Sequence, residues 1–315
     1  MSKKLIIPAL VLLCLPLAAQ QAQEPFVFMP QWTAQAQFAG FYVAQDLGFY
    51  QEEGIDVRIE HPSTSITVHD RVMSDRDRAT TLQLAQALEI VDDGVELVNI
   101  LQTSMNNGMV IVSRRDRDPM TQHGAKVGVW HAGFGQLAIC MSNKEHLDYQ
   151  WVGVLSNINL FVSGALDATL AMSYNEYYQL VQTGMELKEE NVYRFCDHGY
   201  NIQEDGVYMS LDAYRRNKDK AERFARASRR GWEWAAGHPD ETLDIVMKYV
   251  NESNIPTNRV LQRLMLEEIL RLQMDRESGK QEFRLLPEHV ALASSLMTEY
   301  GMLKKEITYQ SLLPR

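Results

Sequence analysis

Aromatic and acidic side chains follow apolar, strand-like runs at several points of this sequence. Trp32 comes after the run Phe26–Met29, and Trp130 closes a second run. Glu176 comes after a third run, Ala168–Met172. A tryptophan face stacks on flat rings, and a carboxylate accepts hydrogen bonds from amino groups. These residue types in this pattern favour the reversible binding of a small planar solute that carries amino groups.

Each of these side chains also has an ordinary structural use. Trp32 could belong to a core or an interface, and Glu176 could simply begin a helix, where the helix dipole stabilises a carboxylate. Phe38 and Tyr42 fall at helical spacing, so helix packing is their default use, although one of them could face a ligand. Open α/β sheets bind ligands at the carboxyl ends of their strands, which favours the binding interpretation for Trp32 and Glu176.

Three further polar positions have the same two uses. Thr80 lies at the start of a helix predicted over 79–90, so its hydroxyl could cap that helix or face a ligand beside the free N–H groups. Gln102 and Ser104 follow a predicted buried strand. They could present an amide and a hydroxyl to a ligand, or they could satisfy the backbone of their own loop.

A glycine-rich turn, His131–Gly135, leads into the next predicted helix. Backbone N–H groups of such a turn can cradle an anion, which makes Gly133 a candidate, although the spacing matches no phosphate-binding fingerprint. Asn175 is a candidate because it lies beside Glu176. The complete set of predicted ligand-binding residues is Trp32, Phe38, Tyr42, Thr80, Gln102, Ser104, Trp130, Gly133, Asn175 and Glu176. We expect no catalytic residues, no metal site and no cofactor.

The elements that position these residues alternate between strands and helices, which predicts an α/β fold. The stretch 26–60 has the pattern of strand, loop, helix, turn and strand, so a parallel pair joined by a helix is expected. The C-terminal part of the chain is predicted to be nearly all helix. Trp232 and Trp234 lie on a long amphipathic helix there, and we expect them to pack in the structure rather than bind a ligand.

Two strand-like crossings, near 113–118 and 203–208, predict that the chain forms two lobes around a central cleft. Both ends of the chain would build one lobe, and the middle would be inserted as the other. About 290 residues suffice for two separate cores. The predicted lobes are 24–115 together with 206–315, and 118–203.

The N-terminal segment 1–22 predicts a signal peptide and therefore a periplasmic location. Lys3 and Lys4 precede the apolar run Leu5–Leu17, which is too short to span a bilayer. The net charge is −10, and removal of the two signal lysines would make it −12. An acidic chain gives no support to nucleic-acid binding.

Three cysteines occur in the sequence. Cys14 follows Leu13 rather than a small residue, so we expect no lipid anchor there. Cys140 and Cys196 could form a disulfide in an oxidising compartment, but we favour two separate thiols because pairing requires close Cα atoms. His198 near Cys196 has no neighbours that would complete a metal site.

Several stretches carry a resemblance through their order and spacing. They are Trp32–Ala44, Gly48–Tyr50, Glu53–Val57, Glu96–Ser104, Lys126–Trp130, Tyr174–Tyr177, Arg230–Ala235 and His238–Glu241. Together they resemble the periplasmic solute-binding proteins of ABC transporters. The similarity is greatest to the branch related to thiamine-pyrimidine precursors, which neighbours the nitrate, sulfonate and taurine binders.

The resemblance implies a type II periplasmic binding protein fold and a monomer that delivers a small-molecule solute to an inner-membrane ABC permease. It also implies that Trp32 stacks on the ligand and that an acid in the region of Glu176 takes part in pyrimidine recognition. The identity of the solute stays open.

Two other functions are alternatives. The same branch includes a synthase that consumes pyridoxal phosphate and its own histidine. The predicted export signal and the absence of the cysteine-rich motif expected of that synthase argue against it. A periplasmic sensor would pass ligand occupancy to a membrane kinase or cyclase, which requires a separate partner because no fused signalling domain is recognised.

Overall fold

The computed structural model describes residues 24–62, 66–114, 117–131, 133–155 and 157–315. The signal peptide that the sequence predicts over 1–22 lies outside these residues. Within the part of the chain described, no helix combines the length and the apolar character that a bilayer crossing requires.

The first sheet is built mainly from the N-terminal part of the chain. Its strands, in spatial order, are β2 (Val57–Ile59), β1 (Phe26–Met29), β3 (Ala79–Gln83), β10 (Asp205–Ser210) and β4 (Leu97–Gln102). Strand β1 pairs in parallel with β2 and β3, whereas β10 is antiparallel to both of its neighbours. The carboxyl ends of β1 and β3 therefore meet at one edge of the sheet.

The second sheet is built from the middle of the chain. Its strands, in spatial order, are β7 (Gln150–Val154), β6 (Lys126–Trp130), β8 (Ala168–Met172), β5 (Met109–Ser113) and β9 (Val192–Arg194). Strand β6 is parallel to β7 and β8, and β5 is antiparallel to β8 and β9. The parallel strands again bring their carboxyl ends to one edge.

Helices flank both sheets, which confirms the predicted α/β class. The helices are α1 (Ala39–Asp46), α2 (Phe49–Glu52), α3 (Val68–Ser74), α4 (Leu84–Asp92), α5 (Gln136–Lys144), α6 (Asn159–Val162), α7 (Glu176–Gln182), α8 (Leu211–Arg216), α9 (Lys218–Gly237), α10 (Pro239–Glu252), α11 (Arg259–Leu272) and α12 (Pro287–Glu299). The helical C-terminal region is also present as predicted, in α8 to α12.

The chain passes between the sheets earlier than the sequence predicts. A crossing near 113–118 would leave Met109–Ser113 in the first lobe, but β5 hydrogen-bonds to β8 and β9 of the second sheet. The crossing therefore lies within 103–108, and the return lies between β9 and β10. Every residue of β5 is buried, so its composition indicates a covered strand without indicating which sheet covers it. The extent of each lobe otherwise stays a prediction.

The helix predicted over 79–90 is also wrong in its first part. Ala79–Gln83 forms β3, which lies between β1 and β10 in the centre of the first sheet, and α4 begins only at Leu84. Threonines favour a pleated, covered strand, and pairing on both sides outweighs any local tendency to begin a helix. Thr80 is therefore not a helix cap.

A close helix contact joins the segment after β1 to the C-terminal helices. A Cβ atom placed on Gly231 of α9 would lie 2.0 Å from the backbone oxygen of Gly40 in α1, and one placed on Gly40 would lie 2.3 Å from the Trp232 ring. Trp232 is buried, which confirms its predicted packing role, and Trp234 is partly buried against the same core. Two glycines thus allow α1 and α9 to meet at backbone distance.

The two cysteines of the described chain lie in separate environments. Cys140 is buried, with its sulfur 3.5 Å from the Met302 sulfur, and burial raises the pKa of its thiol to about 12. Cys196 is partly buried beside Asp197. Both are free thiols, which is the alternative that the sequence favours.

Candidate functional site

The ends of four parallel strands surround one cavity between the two sheets. The strands are β1 and β3 of the first sheet and β6 and β8 of the second. The cavity volume is about 40 Å³, which is about three times what a single water needs and leaves room for a small solute. Its lining residues are Gln31, Trp32, Gln35, Gln37, Gln83, Trp130, Phe134, Met172, Tyr174, Asn175 and Glu176. This is the sheet edge at which the sequence places the ligand.

Aromatic rings from both sheets form part of the cavity wall. Trp32, in the loop after β1, meets Phe134, in the turn between β6 and α5, edge to face, with 5.6 Å between ring centroids. Phe134 in turn lies 6.5 Å from Trp130, at the end of β6, again edge to face. A flat solute in this cavity would contact aromatic surface from both sides of the cleft.

A hydrogen-bonded chain behind Trp32 holds its loop in place. The Trp32 carbonyl accepts a hydrogen bond from His61 Nδ1 at 2.7 Å, and His61 Nε2 lies 2.7 Å from the Tyr42 hydroxyl. Because a carbonyl only accepts, Nδ1 carries the proton and a neutral His61 accepts from Tyr42 through Nε2. Burial lowers the pKa of His61, although the bond to Trp32 opposes this effect. The neutral ring therefore fixes the Trp32 backbone at neutral pH.

Glu176 is buried at the start of α7 and faces the cavity. Its Oε2 accepts from the Met172 backbone N–H at 3.0 Å, and its Oε1 accepts from Trp130 Nε1 and Asn175 Nδ2, both at 3.3 Å. Burial raises the pKa of its carboxyl, and these hydrogen bonds partly counter the effect. The bonds to Oε1 are long, so this oxygen is well placed to accept a further hydrogen bond from a solute.

A second buried carboxylate, Asp205 at the start of β10, lies beneath the cavity. Its Oδ1 accepts from Gln31 Nε2 at 2.7 Å, and its Oδ2 accepts from Gln37 Nε2 at 2.5 Å. Gln37 Oε1 then accepts from Gln35 Nε2 at 2.6 Å. Burial raises the pKa of Asp205 to about 6, and the two amides act in the opposite direction. One carboxylate thus organises three of the glutamines that line the cavity.

Of the ten residues predicted from the sequence, four line this cavity. They are Trp32, Trp130, Asn175 and Glu176. Phe38 and Tyr42 are buried in the core instead, where Tyr42 stacks on Tyr249 with 4.3 Å between ring centroids. Their default interpretation as packing residues describes them better, although Tyr42 supports Trp32 through His61.

The other four predicted residues lie outside the cavity lining. Gln102 donates to the backbone oxygens of Ser104 in its own loop and of Asp205 in β10. The Ser104 hydroxyl donates to the Asn106 carbonyl of the same loop, so both side chains satisfy nearby backbone groups. Thr80 lines a separate cavity on the first sheet. The Gly133 carbonyl accepts amide hydrogen bonds from α4 and α5 side chains, so this turn connects the two sides of the cleft.

The sequence analysis did not identify several residues of the site. They are the glutamines Gln31, Gln35, Gln37 and Gln83, the rings of Phe134 and Tyr174, and the buried acid Asp205. Gln31, Gln35 and Gln37 lie in the same short loop as Trp32, and their repeated amides were the available signal. Tyr174 precedes Asn175 directly. Asp205 has no local signal at all, because it reaches the site through pairing of β10 with β3.

The electrostatics of the cavity favour solutes without negative charge. Among the described residues that line it, none is lysine, arginine or histidine, and its ionisable groups are Glu176 and Tyr174. Asp205 adds a second carboxylate beneath the floor. An anion would therefore meet like charge in a region of low dielectric constant, whereas a donor-bearing ring would meet acceptors.

Comparison with known proteins assigns the chain to a family. A family model described as NMT1/THI5 like matches residues 35–242, which include the Trp32 loop from Gln35 onward and the Glu176 region. The chain belongs to the NMT1/THI5-like family. The chain is similar in sequence to the formylaminopyrimidine-binding protein of Halalkalibacterium halodurans. It is 25% identical over 272 residues, which cover 82% of this chain and 80% of the relative.

Solved structures show that the fold is that of periplasmic binding proteins. The periplasmic aliphatic sulphonate-binding protein SsuA from Escherichia coli aligns with a TM-score of 0.65 at 9% identity, over 93% of each chain. The periplasmic nitrate-binding protein NrtA from Synechocystis PCC 6803 aligns with a TM-score of 0.63 at 13% identity, over 91% of this chain and 84% of that one. At this identity the likeness concerns the fold alone.

Proposed function

We propose that this protein is the solute-binding component of an ABC importer and that it captures a small planar ring bearing amino groups, of the aminopyrimidine type. The solute binds between the two lobes and leaves chemically unchanged. We further propose that the protein acts as a periplasmic monomer and delivers the solute to an inner-membrane permease. The predicted signal peptide and the family membership support this part of the proposal.

The observation that carries the proposal is the composition of the cavity. Trp32 and Phe134 bring aromatic surface from opposite sides of the cleft, and the Glu176 carboxylate accepts hydrogen bonds at the edge of the same space. Aromatic faces suit a flat ring, and a desolvated carboxylate suits ring amino groups. The name of the Halalkalibacterium relative refers to an aminopyrimidine, which agrees with this chemistry.

The same composition argues against the ligands named for the structural neighbours. Sulfonate and nitrate are anions, and the described lining of this cavity offers them no basic side chain while placing Glu176 beside them. Like charge in a desolvated site opposes binding and provides specificity against such solutes. We therefore propose that the shared fold does not extend to a shared ligand class.

Titration calorimetry on the mature protein tests the proposal. We expect 4-amino-2-methylpyrimidine to bind and to be recovered unchanged by mass spectrometry, and we expect methanesulfonate and nitrate to give no heat. Trp32→Ala should weaken pyrimidine binding. Trp234→Ala is the matched control, because Trp234 of α9 stacks on His238, which follows that helix, outside the cavity lining. Binding of the anions but not of the pyrimidine would overturn the proposal, and conversion of the pyrimidine would move the enzyme alternative to the front.

A further inference from the structure

The buried Asp205 determines how the neighbouring amides can point. An ionised carboxylate is only an acceptor, so Gln31 and Gln37 must turn their NH₂ groups toward it, at 2.7 and 2.5 Å. Gln37 then has its oxygen available, and that oxygen accepts from Gln35 Nε2 at 2.6 Å. The orientation of each amide in this chain follows from the carboxylate at its end.

The consequence is a wall of hydrogen-bond acceptors. Gln31 is 2% exposed, and its Oε1 is buried with no hydrogen-bond partner among the described residues. Gln35 donates to Gln37 through Nε2, which leaves its Oε1 as the acceptor end of the amide, and the side chains of Gln31 and Gln35 both line the cavity. A buried acceptor without a partner costs free energy that a ligand donor can recover. Gln31 and Gln35 line the cavity from the loop after β1 of the first sheet, whereas Glu176 lines it from the second sheet, so their side-chain oxygens can meet a different edge of a bound ring.

We propose that Asp205 is a positioning residue that sets the hydrogen-bond polarity of this wall, so that the site selects rings with N–H donors on two opposite edges. One edge faces Glu176, and the other faces the oxygens of Gln31 and Gln35. The inference rests on the proposed function and adds to it the donor pattern of the solute. Asp205 itself touches the ligand only through the amides that it orients.

Protonation of Asp205 should relax this selection. Burial raises its pKa to about 6, and the titratable groups around it are Glu204, next to it in the chain, Tyr174 and Tyr208. A protonated carboxyl donates through one oxygen, so one amide can turn and present NH₂ to the cavity. Preference for donor-bearing rings should then decline between pH 7.5 and pH 5.

Asp205→Asn tests the inference in the full mature chain. The asparagine donates to one amide, which must turn its own NH₂ group toward the cavity. Two matched probes are titrated by calorimetry. The first is 2,5-diaminopyrimidine, which carries amino groups on opposite edges of the ring, and the second is 5-amino-2-methoxypyrimidine, in which an acceptor replaces one of these donors. We expect the affinity ratio of the two probes to fall at least tenfold in the variant. Glu204→Gln is the control, because Glu204 is also buried but accepts a hydrogen bond from the Gly108 N–H rather than from Gln31 or Gln37. The affinity ratio of the two probes in this control should match that of the parent.

The possible outcomes separate the two proposals. An unchanged ratio in a folded Asp205→Asn variant that still binds the diamino probe overturns the role of Asp205 and leaves the proposed function standing. Failure of the parent to bind either pyrimidine overturns the proposed function itself. If the variant does not fold, the affinity ratio of the two probes is measured as a function of pH in the parent and in Glu176→Gln. The second protein is included because Glu176 is the other carboxylate at the cavity. A flat ratio from pH 7.5 to pH 5 in both proteins refutes the inference.

Discussion

The contact between α1 and α9 makes a sharp prediction for Gly231→Ala. The added methyl group would lie 2.0 Å from the backbone oxygen of Gly40, whereas carbon and oxygen normally approach to about 3.3 Å. The obstructing atom belongs to the backbone, so no side chain can rotate away. The two helices must therefore separate by roughly 1 Å along the contact.

The expected loss of stability follows from this displacement. Overpacking usually costs 1–3 kcal/mol, and a clash with backbone belongs at or above the upper end, so we expect about 3 kcal/mol or more. For a chain of this size that corresponds to a fall in Tm of roughly 6–12 °C. The separation would also strain the packing around Trp232, whose ring lies against Gly40.

Thermal unfolding followed by circular dichroism measures the effect. Gly237→Ala is the matched control, since Gly237 ends the same helix and a Cβ there would meet nothing within 4 Å. Alanine is the better helix former, so the control should melt at or slightly above the parent. A Gly231→Ala protein that melts within about 2 °C of the parent would refute the close contact of α1 and α9.

Three further predictions concern the site. Glu176→Ala should weaken binding of an aminopyrimidine by about 2–5 kcal/mol, because ligand donors lose a desolvated partner; titration calorimetry measures this, and parent-like affinity would exclude Glu176 from recognition. Tyr42→Phe should destabilise the protein by about 1–3 kcal/mol, because buried His61 Nε2 loses its donor; urea unfolding measures it, and an unchanged midpoint would show that the Trp32 loop is held by other contacts. Asp205 has a folded pKa of about 6, raised from its ordinary value of 3.8. The folded state therefore holds this proton more tightly than the unfolded state does, and the resulting stabilisation is fully present below pH 4 and is lost as pH rises through 6. The free energy of unfolding of Asp205→Asn, measured relative to the parent by urea unfolding, should therefore rise by up to about 3 kcal/mol between pH 4 and pH 8. A pH-independent difference between the two proteins would contradict the raised pKa.

The sequence by itself determined the elements with a strong local pattern. The apolar runs predicted as strands over 97–101 and 168–172 form the strands Leu97–Gln102 and Ala168–Met172. The amphipathic pattern over 218–236 forms the helix Lys218–Gly237, because burial of one face follows directly from the periodicity of the chain. The carboxyl ends of the parallel strands then place Trp32 and Glu176 at one cavity. This much of the site follows from fold class and local order.

Only the tertiary structure decided which strands pair and which polar groups meet. Met109–Ser113 is a buried strand by composition, but its place in the second sheet depends on hydrogen bonds to distant strands. Asp205 contacts Gln31 across 174 positions of sequence, and no local pattern reports such a contact. Hydrogen-bond polarity at the site depends on that single buried carboxylate, because each amide can point either way until an acceptor is placed beside it.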